Sequence, residues 1–430
     1  MSANTKEQQV GALVVGAGFS GIYQLYKLRQ LGLRVKAIEA ASSVGGVWYT
    51  NHYPGATTDT QSEVFRYTWD SDDLQTYIWG QRYLPQSETL AYLEHVVKRH
   101  DLAKDIQLNT RMESPNILAT LGESACPLIY YPNIPGLESF AGEIYHTADW
   151  PDHYDFKKKR VGIIGNGSTG VQLVVTLADQ AKSTVSFEQH PQYVVPNGDG
   201  PVSTEYRQQI NNEYPEILDK ISNNWTGLNF MFCIFNDIVT VPKANKMATN
   251  FISGKIAHIV KGAAKARKLT PTRQYHRRPV TTKNYYQTFD QDNVDVANVL
   301  ETPMEITSTG SLPRDLKPSL GTPLSSVPPL VEIQVEYITN LVAAAEAVAK
   351  KAESVPTVEV KHEAEYAWSM HVQEVANKTV FTGASSRLVG ENVEGGGRRN
   401  IYCFGGLHTF RMLMEEEDKA GYPSFNPFCS

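Results

Sequence analysis

The chain has 430 residues, 41% hydrophobic and 20% charged, enough apolar side chain for a sizeable core spread over two or three domains. Its formal net charge of −6 argues against nucleic acid or an anionic membrane as partner. Cys126, Cys233, Cys403 and Cys429 are scattered, forming neither a C-x-x-C pair nor a disulfide framework, so a reducing, cytoplasmic setting and no metal site are expected. The start, MSANTKEQQ, is polar and lacks the apolar stretch of a signal peptide. The greasiest run, 228–241, is interrupted by Asn and Asp; it is too short to span a bilayer and reads as buried or pocket-lining.

Residues 10–15 are a short apolar run that predicts a buried strand. Gly16-Ala-Gly18-Phe-Ser-Gly21 follows: Gly16 for a tight turn, Gly18 for close approach to a pyrophosphate, Gly21 for helix–strand packing. A helix is predicted over 22–31, its N-terminus towards the phosphates. A second strand over 34–38 ends at Glu39, 23 residues after Gly16, where an acid can accept both ribose hydroxyls. Strand, loop, helix, strand and acid together specify a dinucleotide. Gly45-Gly46-Val47-Trp48 and Tyr53-Pro54-Gly55-Ala56-Thr57-Thr58-Asp59 come next.

Further along stands Phe140-Ala-Gly142-Glu-Ile-Tyr-His146-Thr-Ala-Asp-Trp150-Pro151, of the form F-x-G-x-x-x-H-x-x-x-W-P. A second unit follows: a strand over 160–164, the loop Gly165-Asn-Gly167-Ser168-Thr169-Gly170, a helix over 171–181 and a strand over 184–187. That strand ends at Glu188, again 23 residues after its first glycine, so the two units share one register. An acid there disfavours a 2′-phosphate and suits a free ribose. Next come His276-Arg277-Arg278-Pro279-Val280 and Tyr285-Tyr286.

Two glycine loops flanking that tract make the chain resemble the Baeyer–Villiger monooxygenases, flavoenzymes that insert oxygen beside a ketone. The resemblance implies an α/β fold of two Rossmann-like dinucleotide-binding domains, for FAD and NADP, with a helical insertion. The FAD domain is expected over residues 1–130 with a return segment over 325–430, the NADP domain over 131–324, and the insertion near 200–270. Gly46, Val47 and Trp48 would pass close to FAD, Asp59 would point to the flavin and orient the catalytic Arg278, and His146 would couple nicotinamide binding to catalysis. An arginine is always charged and offers planar donors, which suits it to anionic oxygen species. Members usually end the second unit in an arginine and a threonine for the 2′-phosphate of NADPH; Gln189 and His190 stand there, with Arg277 as the basic residue placed to compensate. NADPH is the expected reductant and NADH stays open.

The chain also departs from the pattern. The stretches 112–129 and 307–329 are short where members have strands, the second reading as a Ser/Thr/Pro/Leu-rich loop before a helix over 331–352. Arg387 replaces a tryptophan before Gly390-Glu391-Asn392, and the end, Tyr402 to Leu407, matches again. Lost strands would strain a sheet buried on both faces. The expected activity is FAD-dependent, NADPH-driven oxidation, with molecular oxygen, of a bulky apolar ketone to an ester or lactone, the segment 225–235 roofing the pocket in a natural-product tailoring enzyme. The alternatives are an N- or S-oxygenating flavin monooxygenase and a non-catalytic flavoprotein homologue.

Overall fold

The computed structural model describes residues 9–112, 131, 134–135, 137, 139–223, 238, 240–275, 280–301, 308–309, 326–354, 356, 358–380 and 403–428. In chain order these form β1 (Ala12–Val15), α1 (Phe19–Gln30), β2 (Val35–Ile38), α2 (Val47–Thr50), β3 (Thr57–Gln61), α3 (Ser71–Thr76), β4 (Tyr83–Pro85), α4 (Gln86–Arg99), β5 (Ile106–Gln107) and β6 (Ser139–Phe140). There follow β7 (Arg160–Ile164), α5 (Ser168–Leu177), β8 (Ser183–Glu188), β9 (Val194–Val195), α6 (Thr204–Asn223), α7 (Pro242–Ile259), α8 (Ala263–Leu269), β10 (Val280–Thr281), α9 (Tyr285–Thr288), β11 (Val294–Asn298), β12 (Ser308–Thr309), α10 (Val327–Ala352), α11 (His362–Asn377) and α12 (Gly406–Lys419).

Two parallel sheets carry the fold, and they repeat one another. The first runs β1-β2-β5 and the second β7-β8-β11, each with its glycine-loop strand at one side. Val15 lies opposite Ile38 in the first, and Ile164 opposite Phe187 in the second. The repeat read over two strands therefore extends to a third. Among the described residues each of these sheets has three strands, so β1 and β7 pair on one side only. The alternation of a half-covered strand follows. Val14 and Ile163 are buried under their helices, while Leu13, Val15 and Ile164 are 42%, 37% and 47% exposed.

Both helices after the glycine loops start earlier than the apolar spacing predicts, at Phe19 instead of 22 and at Ser168 instead of 171. The cause is shared. The loop's last glycine already belongs to the first turn, because its missing side chain lets the turn close against the strand. Helix α1 then buries Ile22, Leu25 and Leu28 at helical spacing against β2 and α4.

Helix α10 returns to this first sheet. Val331 and Val335 join its core, Tyr23 donates to Glu336 at 3.2 Å and Gln24 to Thr339 at 3.2 Å. The helix begins at Val327, inside the stretch expected to be loop to 329. Pro328 and Pro329 fall in its first turn, where a missing N–H leaves no hydrogen bond unmade. Buried in it, Glu332 accepts the Thr68 N–H and hydroxyl, both at 2.5 Å. Burial pushes its carboxyl up to about 7, against the pull of those hydrogen bonds. The expected helical insertion is present as α6, α7 and α8. No helix among the described residues is long and apolar enough to cross a membrane.

Candidate active site

The two glycine loops have nearly the same geometry. Gly16 and Gly165 both turn at φ +96°, and a Cβ on Gly21 or Gly170 would lie 1.9 or 2.0 Å from the carbonyl oxygen of Gly16 or Gly165. Backbone cannot yield there, so each closing position admits only glycine. Beside Gly167 a Cβ would meet nothing, which leaves open space for a phosphate at the N-terminus of α5. Gly18 instead faces the backbone of Gly46, whose Cβ would lie 3.0 Å from the Gly18 Cα. The first loop and the Gly46-Val47-Trp48 segment are thus one unit, also tied by Gly45 N–H to the Ala17 carbonyl at 2.8 Å. Trp48 packs edge-on to Phe65 at 5.3 Å, and Val47 is exposed.

The acids at the two strand ends share a register but not an environment. Glu39 is half-buried and braces the first loop, accepting Ala17 N–H at 2.7 Å and Ala41 N–H at 2.9 Å. Each oxygen retains acceptor capacity for a ribose. Glu188 is 2% exposed and takes three donors: Asn166 Nδ2 at 2.8 Å, Ser186 Oγ at 2.8 Å and the Tyr285 hydroxyl at 2.9 Å. The carboxylate expected at the ribose is thus turned into the protein. Gln189 is exposed and His190 half-buried, its carbonyl accepting Asn166 Nδ2 at 2.7 Å.

The halves meet along Tyr53 to Asp59. Gln172 on α5 is 3% exposed and uses both ends of its amide: Oε1 accepts the Tyr53 hydroxyl at 2.9 Å and Nε2 donates to the Thr57 carbonyl at 3.0 Å. Tyr53 also contacts Thr169 Oγ1 at 3.2 Å, and burial pushes its hydroxyl up, keeping it a neutral donor. Gly55 sits so close to α5 that a Cβ would lie 2.0 Å from Thr176 Oγ1. Asp59 is half-buried on β3, and its carbonyl accepts Thr281 Oγ1 of β10 at 3.2 Å. Thr281 comes three residues after Arg278 in sequence, while Arg277 and Arg278 lie outside the described residues, as do 225–235, Arg387 and Gly390 to Asn392.

In the F-x-G-x-x-x-H-x-x-x-W-P tract, a Cβ on Gly142 would lie 2.5 Å from the Phe140 ring. His146 Nδ1 accepts the Ala148 N–H at 3.1 Å, which places the proton of the neutral ring on Nε2. Its ring meets Tyr131 edge-on at 5.5 Å. Trp150 packs with Tyr145 and Phe156, each at 5.9 Å. Just beyond Pro151, Asp152 pairs with His52 at 3.5 Å, joining the tract to the segment before Tyr53.

Two family profiles match: an NAD(P)-binding Rossmann-like domain over residues 14–78 and a flavin-binding monooxygenase-like family over residues 115–197. Cyclohexanone 1,2-monooxygenase of Acinetobacter sp is 30% identical over 535 aligned positions, covering 98% of this chain and 97% of the relative. The chain belongs to the Baeyer–Villiger monooxygenase family. That alignment is longer than the 430 residues of the chain, so this relative carries stretches without counterpart here. Phenazine N-monooxygenase of Lysobacter antibioticus is 34% identical, covering 96% of each chain. Cyclohexanone monooxygenase in a closed crystal structure matches this Baeyer–Villiger chain with TM-score 0.88 at 28% identity, over 99% of this chain and 100% of that one. The NADP+-bound enzyme of Rhodococcus sp. Phi1 matches with TM-score 0.87 at 29%, over 98% and 99%.

Several residues at this Baeyer–Villiger site escape a reading of the sequence. Gln172 looks like one polar residue on an apolar helix, and Asn166 like the filler of a glycine loop. Tyr285 is visible only as half of a Tyr-Tyr pair. Gln172 and Tyr285 act through partners roughly a hundred residues away and Asn166 through partners 22 and 24 residues away, and no local spacing announces these pairs.

Proposed function

We propose that this chain is an FAD-dependent, NADPH-driven monooxygenase that inserts one oxygen atom of O2 next to the carbonyl of a bulky, apolar ketone. The products are an ester or lactone, NADP+ and water. The observation that carries this reading is the docking of the flavin-side segment on the second nucleotide unit. Tyr53 and Thr57 are both held by Gln172, and Asp59 is fastened to β10 through Thr281. The arrangement supports an FAD domain of residues 1–130 with a return over 325–430, and an NADP domain over 131–324.

The loops fit two dinucleotides: Gly16, Gly18 and Gly21 with Glu39 hold FAD, and Gly165, Gly167, Ser168, Thr169 and Gly170 hold NADPH. Bound FAD supplies the oxygen-activating chemistry. Arg278 stabilises negative charge on oxygen beside the ketone, and Asp59 orients its guanidinium. His146, with its proton on Nε2, sits on the connection between halves and relays nicotinamide binding. Natural-product tailoring is the proposed setting.

One experiment tests this: purified, FAD-loaded protein is incubated with NADPH, oxygen and a panel of bulky cyclic ketones, and products are identified by mass spectrometry. Ester or lactone formation coupled to NADPH consumption is expected. The 34% identity to a phenazine N-monooxygenase favours a second reading, N-oxygenation of a heteroaromatic amine. Recovery of N-oxides without any ester would establish that reading instead.

A further inference from the structure

The two nucleotide units place an acid at the same register, yet bury it differently. Glu39 is half-exposed and takes two backbone N–H groups. Glu188 is 2% exposed, and both of its oxygens are engaged by side chains from three elements. Ser186 comes from its own strand, Asn166 from the glycine loop and Tyr285 from the first turn of α9. Asn166 has a second bond: the same Nδ2 reaches the His190 carbonyl at 2.7 Å, so the loop is pinned at two points beyond the strand end. An acid that reads a ribose diol must present an open oxygen to solvent, and turning Glu188 outward would take the acceptor from the buried Ser186 and Tyr285 hydroxyls and leave Asn166 only the His190 carbonyl.

We propose that Glu188 is a positioning residue that braces the second nucleotide loop, and that it takes no part in choosing between NADPH and NADH. This rests on the reading of that loop as the NADPH site. Besides Arg277, the residues left for the nucleotide's 2′ position are Gln189 and His190, whose side chains can donate to a phosphate and carry no negative charge to repel it. Burial pushes the Glu188 carboxyl up while its three hydrogen bonds pull it down. Tyr285 thereby belongs to the nucleotide site although it lies far from it in sequence.

The test measures binding of two fragments that differ only in the 2′-phosphate, 2′,5′-ADP and 5′-AMP, by calorimetry on the full-length FAD-loaded protein. Wild type is compared with Glu188→Gln and with the milder Tyr285→Phe, which removes one donor and no charge. The brace predicts that both fragments weaken together, about three- to tenfold in Glu188→Gln and less in Tyr285→Phe, with their affinity ratio constant within about twofold. Flavin content stays at the wild-type level because the first loop is untouched. A rise in the 2′,5′-ADP to 5′-AMP ratio of about tenfold in Glu188→Gln would show that the acid faces the ribose, and unchanged affinities in both variants would show that it positions nothing; either overturns the proposal. If wild type bound neither fragment, the NADPH reading itself would fall, an outcome distinct from a change in the variants alone.

Discussion

Gln172→Leu tests the joint between the halves. Leucine matches glutamine in volume, so no cavity opens, and the loss is confined to two hydrogen bonds in a side chain that is 3% exposed. The two partners fare differently. Tyr53 keeps Thr169 Oγ1 at 3.2 Å as a neighbour, whereas the Thr57 carbonyl loses the Nε2 donor at 3.0 Å. One buried group left unsatisfied costs about 1–3 kcal/mol, which corresponds to a fall in Tm of roughly 2–10 °C for units of this size. Gln172→Glu sharpens the test. It still accepts the Tyr53 hydroxyl, but its ionised carboxylate faces the Thr57 carbonyl, so at pH 8 it is expected to be worse than leucine. On acidification the carboxyl protonates and donates where Nε2 did, and the deficit shrinks. Thermal melting of FAD-loaded wild type, Gln172→Leu and Gln172→Glu at pH 8 and pH 6 reads this directly, and the rate of flavin reduction by NADPH falls with the joint. If Gln172→Leu melts within about 1 °C of wild type at both pH values, the amide does not hold the halves together and the reasoning fails.

Three further outcomes are expected. Gly21→Ala and Gly170→Ala each force a Cβ to about 2 Å from a backbone carbonyl, so the first loses bound FAD while the second keeps its visible flavin spectrum and shows a raised KM for NADPH; identical losses in both would contradict separate sites. Burial raises the Glu332 carboxyl in the folded state to about 7 from its ordinary 4.5, so its neutral form favours the fold: the stabilisation is full below about pH 4.5 and is lost as pH rises through 7. The difference amounts to about 3 kcal/mol, and Glu332→Gln, which can still accept the Thr68 N–H and donate to its hydroxyl, flattens the pH dependence of Tm between pH 5 and 8. Asp59→Ala lowers ester-forming kcat by about a hundredfold with flavin content unchanged, and a wild-type rate in that variant would remove Asp59 from the reaction.

Much of the fold is legible because it is local. Short apolar strands, glycines at fixed offsets and a following helix specify both βαβ units within about thirty residues each, and strands 160–164 and 35–38 lie where the pattern puts them. Apolar spacing puts both helix starts three residues late, because it does not register a first turn that closes on a glycine. The prolines at 328 and 329 resemble loop in the sequence for a related reason: proline breaks a helix interior but suits a first turn. What the sequence conceals is pairing at a distance. Glu332 meets Thr68 across 264 residues and Gln172 meets Tyr53 across 119. Such pairs exist only once the halves have packed, and Glu188 shows the consequence. The spacing places an acid at the strand end, but only its neighbours decide whether it faces a ribose or the core.

The two nucleotide loops stand on separate sheets among the described residues. A parallel strand is normally covered on both faces and paired on both sides. Here β1 and β7 are paired on one side among the described residues, with Leu13, Val15 and Ile164 exposed beside them. No ladder among the described residues joins these two sheets, so strand pairing there does not set how one nucleotide loop stands to the other. Side chains and turns do it instead. Gln172 grips Tyr53 and Thr57, Thr281 holds Asp59, and Asp199 accepts the Tyr83 N–H at 3.1 Å. Arg66, 1% exposed, carries the insertion helix α6 through the Tyr214 hydroxyl at 3.2 Å while holding Asp73 at 3.3 Å. The buried ones among these polar contacts, at Gln172 and Arg66, are costly to break singly. The register of the two nucleotide loops therefore draws on these bridges.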